Sequence, residues 1–412
     1  MFIEATRRRN PDLIRTAAAL HQAGEIPSNT FVVDIDAMIQ NAANLRLTAD
    51  QHGVGLYQMT KQHGRNPVAA RAVARAGVDK TVCVDIDETR TLAAFGVKLG
   101  HVGHIQQVPD AALSDAVSLE PEVVTCFNLE KALLVARAAA GQGREQAVLL
   151  RVRDHENDFY PAQEGGVLLT DLPAVVERLH GVPGVRVAGV TTFPVLLFDP
   201  EQGEALPTRN LQTLLAAVDI VRASGVESPI VNAPGVSCCA TIPVTKSYGA
   251  TQVEPGSALL GNTPLHAVAD QPEVPAMVYV TEVSHRDEEN VYTLGGGHYP
   301  RSRVQGALVG ASPEALMQQW YPASPYPADA IDYYSRLLIP PGAAAPAIGE
   351  TVVYAFRSQI FTSRALVAPV VGLRAGRPRI AGFWNHLGYP VTREGRPLSI
   401  EEGEKTIAQC GF

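Results

Sequence analysis

From residue 31 the chain alternates short β-branched runs with longer stretches whose apolar residues recur at helical spacing. The strand-like runs are 31–35, 54–60, 81–85, 102–108, 122–126, 147–153, 186–193 and 229–232. Between them, 36–51, 67–76, 88–95, 129–140, 172–179 and 211–223 carry helical patterns. The repeat length, about 20 to 40 residues, is that of a βα unit. Eight such units in succession predict a closed (β/α)8 barrel of the TIM type. An open doubly wound sheet would need a Gly-rich GxGxxG turn after its first strand, and residues 34–37 read DIDA. Ahead of the barrel, 11–24 predicts a flanking helix. Leu13, Ile14, Ala17, Ala18 and Leu20 share one side, Pro11 suits an early position and Gly24 a stop.

After about residue 265 strands recur without long helices, at 277–284, 291–294, 351–356 and 365–371. Pro and Gly punctuate 322–327 and 340–349. The expected organisation is a flanking helix over 1–29, an α/β barrel over 30–265 and a β-rich C-terminal domain over 266–412. No internal repeat beyond the βα rhythm is found.

Composition narrows the function. Of 412 residues, 46% are apolar and 18% charged, an ordinary globular balance. Thirty-four basic against 42 acidic residues give a net charge of −8, which argues against a nucleic-acid partner. No run approaches the roughly 20 apolar residues of a membrane span. The opening MFIEATRRRNPDL has an early acid and no apolar core, so it does not read as a secretory signal. The five cysteines are scattered and form no CxxC pair. They read as small apolar filler in a reduced, cytoplasmic protein.

Barrel catalytic groups lie at the C-terminal ends of strands. Those positions hold Lys61, Asp85, Gln107, Asp154, the Thr191-Thr192-Phe193 run and Asn232. Lys61 follows an apolar run and precedes a turn. A lysine there either snorkels to the mouth or, partly desolvated, serves as a Schiff-base nucleophile, and position alone does not choose. Asn232-Ala-Pro-Gly-Val-Ser237 follows the last strand, where barrels often cradle phosphate. Glu254-Pro-Gly-Ser257 again lets backbone amides face an anion. Each turn alone reads equally as an ordinary loop.

Taken together, these stretches resemble the fold-type III pyridoxal-phosphate (PLP) enzymes, the alanine-racemase-like barrels. The resemblance rests on Phe31-Val-Val-Asp-Ile-Asp36, Tyr57-Gln-Met-Thr-Lys61, Gly189-Val-Thr-Thr-Phe193 and Glu254-Pro-Gly-Ser257, and covers about residues 28–310. Met59-Thr-Lys-Gln-His-Gly-Arg-Asn66 and Gly295-Gly-Gly-His-Tyr299 are most similar to its YhfX-type subgroup. The resemblance implies that Lys61 carries PLP as a Schiff base. It implies that Gly235, Ser237, Gly256 and Ser257 hold the phosphate, with Arg65 where racemases place a phosphate-contacting tyrosine.

Glu254 departs from the racemases, which carry an arginine against the pyridine nitrogen; related decarboxylases carry Glu-Pro-Gly, as here. A carboxylate there keeps the ring protonated and strengthens it as an electron sink for a carbanion or quinonoid. Racemisation needs a second acid/base on the other face of the substrate Cα. The resemblance offers His285, His298 and Tyr299 from a partner chain's β-domain, and does not choose among them. Asn157, Tyr160 and Thr192 are candidate substrate contacts, although 154–163 reads equally as a polar loop. The His-x-Cys ligand pair of the metal-assisted relatives is missing, and the nearest string is Phe383-Trp-Asn-His386, so no metal is expected. The expected protein is a homodimeric amino-acid racemase or epimerase with a shared active site. The rivals are a PLP-dependent decarboxylase, dehydratase or aldolase, or a PLP carrier without turnover.

Overall fold

The computed structural model describes residues 1–299, 301–325 and 329–412. Contacts divide the chain into two units, Asn44–Thr60 with Gly77–Gly256, and Met1–Ala43 with Lys61–Ala76 and Ser257–Phe412.

The first unit holds the parallel barrel. Its strands are Lys80–Cys83, Lys98–Val102, Val123–Cys126, Gln146–Arg153, Val185–Thr191, Ile230–Asn232 and Gln252–Val253. The ring is completed by Gly55–Leu56 and Gln58–Met59, two pieces of one run on either side of Tyr57. Leu56 pairs with Val253 on one side, and Met59 with Val82 on the other. Tyr57 N–H donates to the Val253 carbonyl at 3.1 Å, which bridges the two pieces. Gly189 has a packing reason: a Cβ there would lie 2.0 Å from the Ile230 carbonyl oxygen of the next strand. Helices Ile86–Ala94, Leu129–Ala140 and Arg209–Ala223 return the chain between strands. Asp85, read from sequence as a strand-end group, caps the first of these by accepting Glu88 N–H at 2.8 Å.

Two strand expectations need correction. The run at 31–35 lies outside the barrel. It is the strand Thr30–Asp34, antiparallel to Met277–Arg286 and parallel to Leu366–Val371 in the other unit's sheet. The barrel strand that closes on Gly55–Leu56 is Gln252–Val253 instead. The run at 102–108 is also displaced. The strand is Lys98–Val102, and the chain then turns at Gly103 with φ +77°.

The second unit is built on an 11-stranded sheet that includes Met277–Arg286, Asn290–Leu294, Gly306–Gly310, Thr351–Tyr354 and Leu366–Val371. Helices Phe2–Arg9 and Pro11–Gln22 bury Ile3, Leu13, Ile14 and Ala17 with Val278, Val280, Leu308 and Val353. Each fully buried Leu, Ile or Val side chain contributes roughly 1.5–3 kcal/mol. Asn10 caps the second helix through Leu13 N–H and donates to Asp34 Oδ2 at 2.9 Å. Pro11 opens that helix as its sequence predicts. Tyr326 and Pro327 of the Pro-rich stretch lie outside the described residues.

None of the five cysteines is in a disulfide; four are buried and Cys410 is partly exposed. Among the described residues no helix is long and apolar enough to cross a membrane.

Candidate active site

The strongest polar cluster lies inside the barrel unit, around Glu254, just past the last strand. Its carboxylate is fully buried. Oε1 accepts two hydrogen bonds, from His101 Nδ1 at 2.6 Å and from Asn232 Nδ2 at 2.8 Å. Asn232 is held in turn: Nδ2 also reaches Gln252 Oε1 at 2.9 Å, and Oδ1 accepts the Thr191 hydroxyl at 2.6 Å. The other ring nitrogen of His101 bonds the Thr125 hydroxyl. A chain of side chains, Thr191–Asn232–Glu254–His101–Thr125, therefore joins five strand ends across the barrel interior. Burial alone would push the Glu254 carboxyl up. The His104 and His101 imidazoles and the bonds from His101 and Asn232 outweigh it and bring the group down to about 2. The group is a carboxylate at neutral pH.

Glu254 Oε2, although buried, accepts no hydrogen bond from the described residues. His104 Nε2 lies 3.5 Å from it. His104 packs edge-on against His101 at 5.0 Å and against Phe193 at 5.6 Å, and Phe193 is 5.6 Å from Tyr160. His101, His104 and Glu254 also offer the donor types of a cation site, with ligand atoms within 4.8 Å of one another. Neither histidine stood out in the sequence. The signal was there as His101-Val-Gly-His104, but the strand expectation at 102–108 hid which residue faced inward.

Arg151 is the other feature that position alone did not reveal. Its partner across the sheet is Thr191, and Leu149, two residues earlier, pairs with Thr125. Thr191 and Thr125 both point into the polar chain, so Arg151 shares the inward face. The residue is 1% exposed, and its guanidinium stacks over Phe127 at 4.7 Å. Nη2 donates to the Gln163 carbonyl at 2.5 Å, while Nε and Nη1 donate to no acceptor among the described residues. Burial lowers the group to about 10, against Glu164, so it stays charged at neutral pH.

The remaining barrel candidates are spread around the same strand ends. Gly235 has a steric requirement, since a Cβ would lie 2.8 Å from Leu196 N. Ser237 is buried, and the next residue, Cys238, donates its N–H to Thr241 Oγ1 at 3.0 Å. Gly256 is buried beside Glu254 in sequence, in the turn opened by Pro255. Thr192 is buried. Asn157 is engaged in holding its own loop, accepting Asp154 N–H at 2.7 Å and donating to Thr213 Oγ1 at 2.8 Å. Tyr160 is half-buried against Phe193.

Lys61 is the residue after Thr60, whose hydroxyl donates to the buried Glu88 carboxylate. That bond pins the end of the strand from which the lysine issues. Within the second unit, Lys61 opens a 3-10 turn, Lys61–His63, and its Nζ lies 5.9 Å from the Phe361 ring. Arg65 lies over the same ring at 5.4 Å. Arg65 is buried and holds φ +56°, a conformation that costs a non-glycine residue and needs support from its surroundings. Burial, and after it the nearby Arg65 charge, lowers the His386 imidazole. Ser257, partly buried, heads the turn closed by Asn262 N–H on its carbonyl at 2.9 Å.

The three second-base candidates separate in the C-terminal strands. His285 is exposed, stacked on Tyr292 at 4.4 Å. His298 is buried among Tyr279, Tyr354 and Phe356, and burial lowers its imidazole to about 4. Both histidines line one cavity of about 440 Å³ together with Tyr333, Tyr334 and Arg336. Tyr299 is partly buried and donates its backbone N–H to Ser302 Oγ at 3.0 Å.

Known families match this architecture. The alanine racemase N-terminal domain matches residues 33–264. The chain belongs to the alanine racemase N-terminal domain family. A YhfX-like C-terminal domain follows over residues 278–380. The chain is 39% identical over 388 residues to the uncharacterized protein YhfX of Escherichia coli strain K12, covering 94% of this chain and 99% of that one. It is 25% identical over 281 residues to D-threo-3-hydroxyaspartate dehydratase of Delftia sp. strain HT23, covering 67% and 72% of the two chains. Among solved structures, alanine racemase of Clostridium difficile 630 in complex with cycloserine superposes with a TM-score of 0.59 at 15% identity, over 87% of this chain and 98% of that one. At that identity the likeness is one of fold. The alanine-racemase-like family is fold-type III and PLP-dependent, and its members include racemases, dehydratases and aldolases.

The residues present fit that cofactor. A buried carboxylate with one oxygen free of hydrogen bonds matches a protonated pyridine nitrogen. The chain supplies a lysine two residues beyond a barrel strand end, and the turns around Gly235 and Gly256 provide small residues for a phosphate.

Proposed function

We propose that this protein is a PLP-dependent enzyme that racemises or epimerises an amino acid at Cα. The observation that carries the reading is Glu254, ionised and buried, with Oε2 accepting no hydrogen bond from the described residues. Bound in the barrel, PLP supplies an electron sink for negative charge at the substrate Cα. Lys61 Nζ would hold the cofactor and carry a proton to or from one face of Cα. Glu254 Oε2 would keep the ring nitrogen protonated. Gly235, Ser237, Gly256 and Ser257, with the Arg65 guanidinium, would hold the phosphate. The free edge of Arg151 would take an oxyanion of the substrate, and Tyr160, Thr192 and Asn157 would border the substrate side chain.

The opposite face of Cα needs a second acid/base. We assign it to the C-terminal domain of a second copy in a homodimer, at His285, His298 or Tyr299. His298 is neutral at pH 7 and so would begin as a proton acceptor. The absence of a membrane-spanning helix among the described residues fits a cytoplasmic enzyme.

Deuterium wash-in at Cα across D- and L-amino acids tests this function. Exchange with inversion and no net loss of amino acid supports it; consumption without inversion contradicts it. Elimination at Cα–Cβ is the second reading. It is supported by the 25% identity to a hydroxyaspartate dehydratase and by the cation-type donors around Glu254. That reading predicts an activity lost on chelation and restored by a divalent cation.

A further inference from the structure

His101 is fully buried, and its two ring nitrogens are both engaged. An ionised carboxylate only accepts, so the hydrogen between His101 and Glu254 sits on His101 Nδ1. Nε2 then accepts the Thr125 hydroxyl proton when the ring is neutral, or donates to that hydroxyl when it is charged. In both states Thr125 fixes the ring plane and Nδ1–H keeps pointing at Oε1. Glu254 is therefore held on one oxygen by two donors that are themselves locked, His101 by Thr125 and Asn232 by Thr191 and Gln252. All the fixed hydrogen bonding falls on Oε1. Oε2 receives none.

The geometry points to His101 as a positioning residue for Glu254, one that turns the carboxylate so that Oε2 alone is presented to the cofactor's ring nitrogen. The inference rests on the assignment of Glu254 to that nitrogen and adds the residue that makes the assignment work. Among the described residues, removing the Nδ1–H leaves Asn232 as the only hydrogen-bond donor to the carboxylate. The group can then rotate toward His104, 3.5 Å away, and it loses part of what keeps it ionised. The titratable groups that face Glu254 are His101, His104 and, through space, Tyr57.

Two substitutions separate positioning from bulk. His101→Asn keeps an amide N–H close to where Nδ1–H stood. His101→Leu keeps volume and removes the donor. Purified protein is compared by the pH midpoint of its visible cofactor band, by kcat and KM for Cα exchange, and, after cofactor removal, by acid unfolding. Leu is expected to move the band's midpoint by about one pH unit or more and to lower kcat about 10-fold or more with little change in KM. It is also expected to move acid unfolding of the cofactor-free protein to higher pH, and Asn is expected to recover most of each effect. If the Leu variant does not fold, Thr125→Val, which frees the ring at Nε2, is expected to give the same shifts in smaller measure. A wild-type band that Leu and Val leave at its original midpoint, with kcat unchanged, overturns the inference while the cofactor assignment stands. Wild-type protein that takes up no PLP overturns the assignment and the inference together.

Discussion

His101 Nδ1 lies 2.6 Å from Glu254 Oε1, although 153 positions separate the two residues in the chain. The contact is possible because Lys98–Val102 and Gln252–Val253 are strands of one ring, with His101 in the first and Glu254 directly after the second. An ionised carboxylate in such a place needs these donors, since burial by itself favours the neutral acid.

The acid stability of the fold should carry this signature. The Glu254 carboxyl sits below its ordinary value in the folded protein, at about 2 against 4.5. Its contribution is complete above the unfolded value and is lost as pH falls through the folded one. The difference corresponds to about 3 kcal/mol, the order expected for two to three pKa units. Urea midpoints measured from pH 6 down to pH 2 should fall more steeply for wild type than for Glu254→Gln. Parallel curves would place the carboxylate outside this network's control.

Glu254→Gln should also retain PLP and lose Cα exchange. One interaction made with developing charge in a dry site contributes a few kcal/mol, so the rate should drop by about 10²-fold or more. Isotope exchange monitored by NMR measures this directly. Turnover at the wild-type rate would remove Glu254 from the ring nitrogen.

The barrel was legible from the chain because eight short apolar runs with helical stretches between them leave few other arrangements. The identity of its strands was less so. Phe31, Val32 and Val33 are buried and read the same in either sheet; their pairing with Tyr279, Val278, Met277 and the Leu366–Val371 strand is fixed by residues far along the chain. Gln252–Val253 is too short and too polar at its first position to carry a pattern. The chemistry divides the same way. Lys61 and Glu254 stand out beside turn motifs. His101 and Arg151 lie within strands, where only the inward or outward direction of the side chain gives them meaning.

Arg151→Gln should weaken substrate binding without loss of the fold's architecture. Its Nε and Nη1 have no protein acceptor to lose. A charge-assisted contact is commonly worth about 1.5–3 kcal/mol, so KM should rise by about 10-fold or more while PLP content is unchanged. Comparing alanine with aspartate identifies the oxyanion. An equal rise for both assigns Arg151 to the α-carboxylate, and a rise for aspartate alone assigns it to the side chain. A KM unchanged for both would leave Arg151 a structural residue.

Substitution of the second base should impair exchange from one enantiomer far more than from the other, because each base serves one face of Cα. His285→Ala, His298→Ala and Tyr299→Phe are to be tested with both enantiomers. Mixing the impaired variant with Lys61→Ala chains should restore activity through heterodimers carrying one intact site. A fully active monomer, or heterodimers that form and stay inactive, would exclude a shared site.

The central claim is that Lys61 carries PLP, and borohydride trapping measures it most directly. The purified protein should show a visible absorbance band that borohydride abolishes. Peptide mass spectrometry should then find the reduced cofactor on Lys61, and Lys61→Ala should show no adduct. An adduct on another lysine, or no adduct on protein that has been supplied with PLP, would contradict the account.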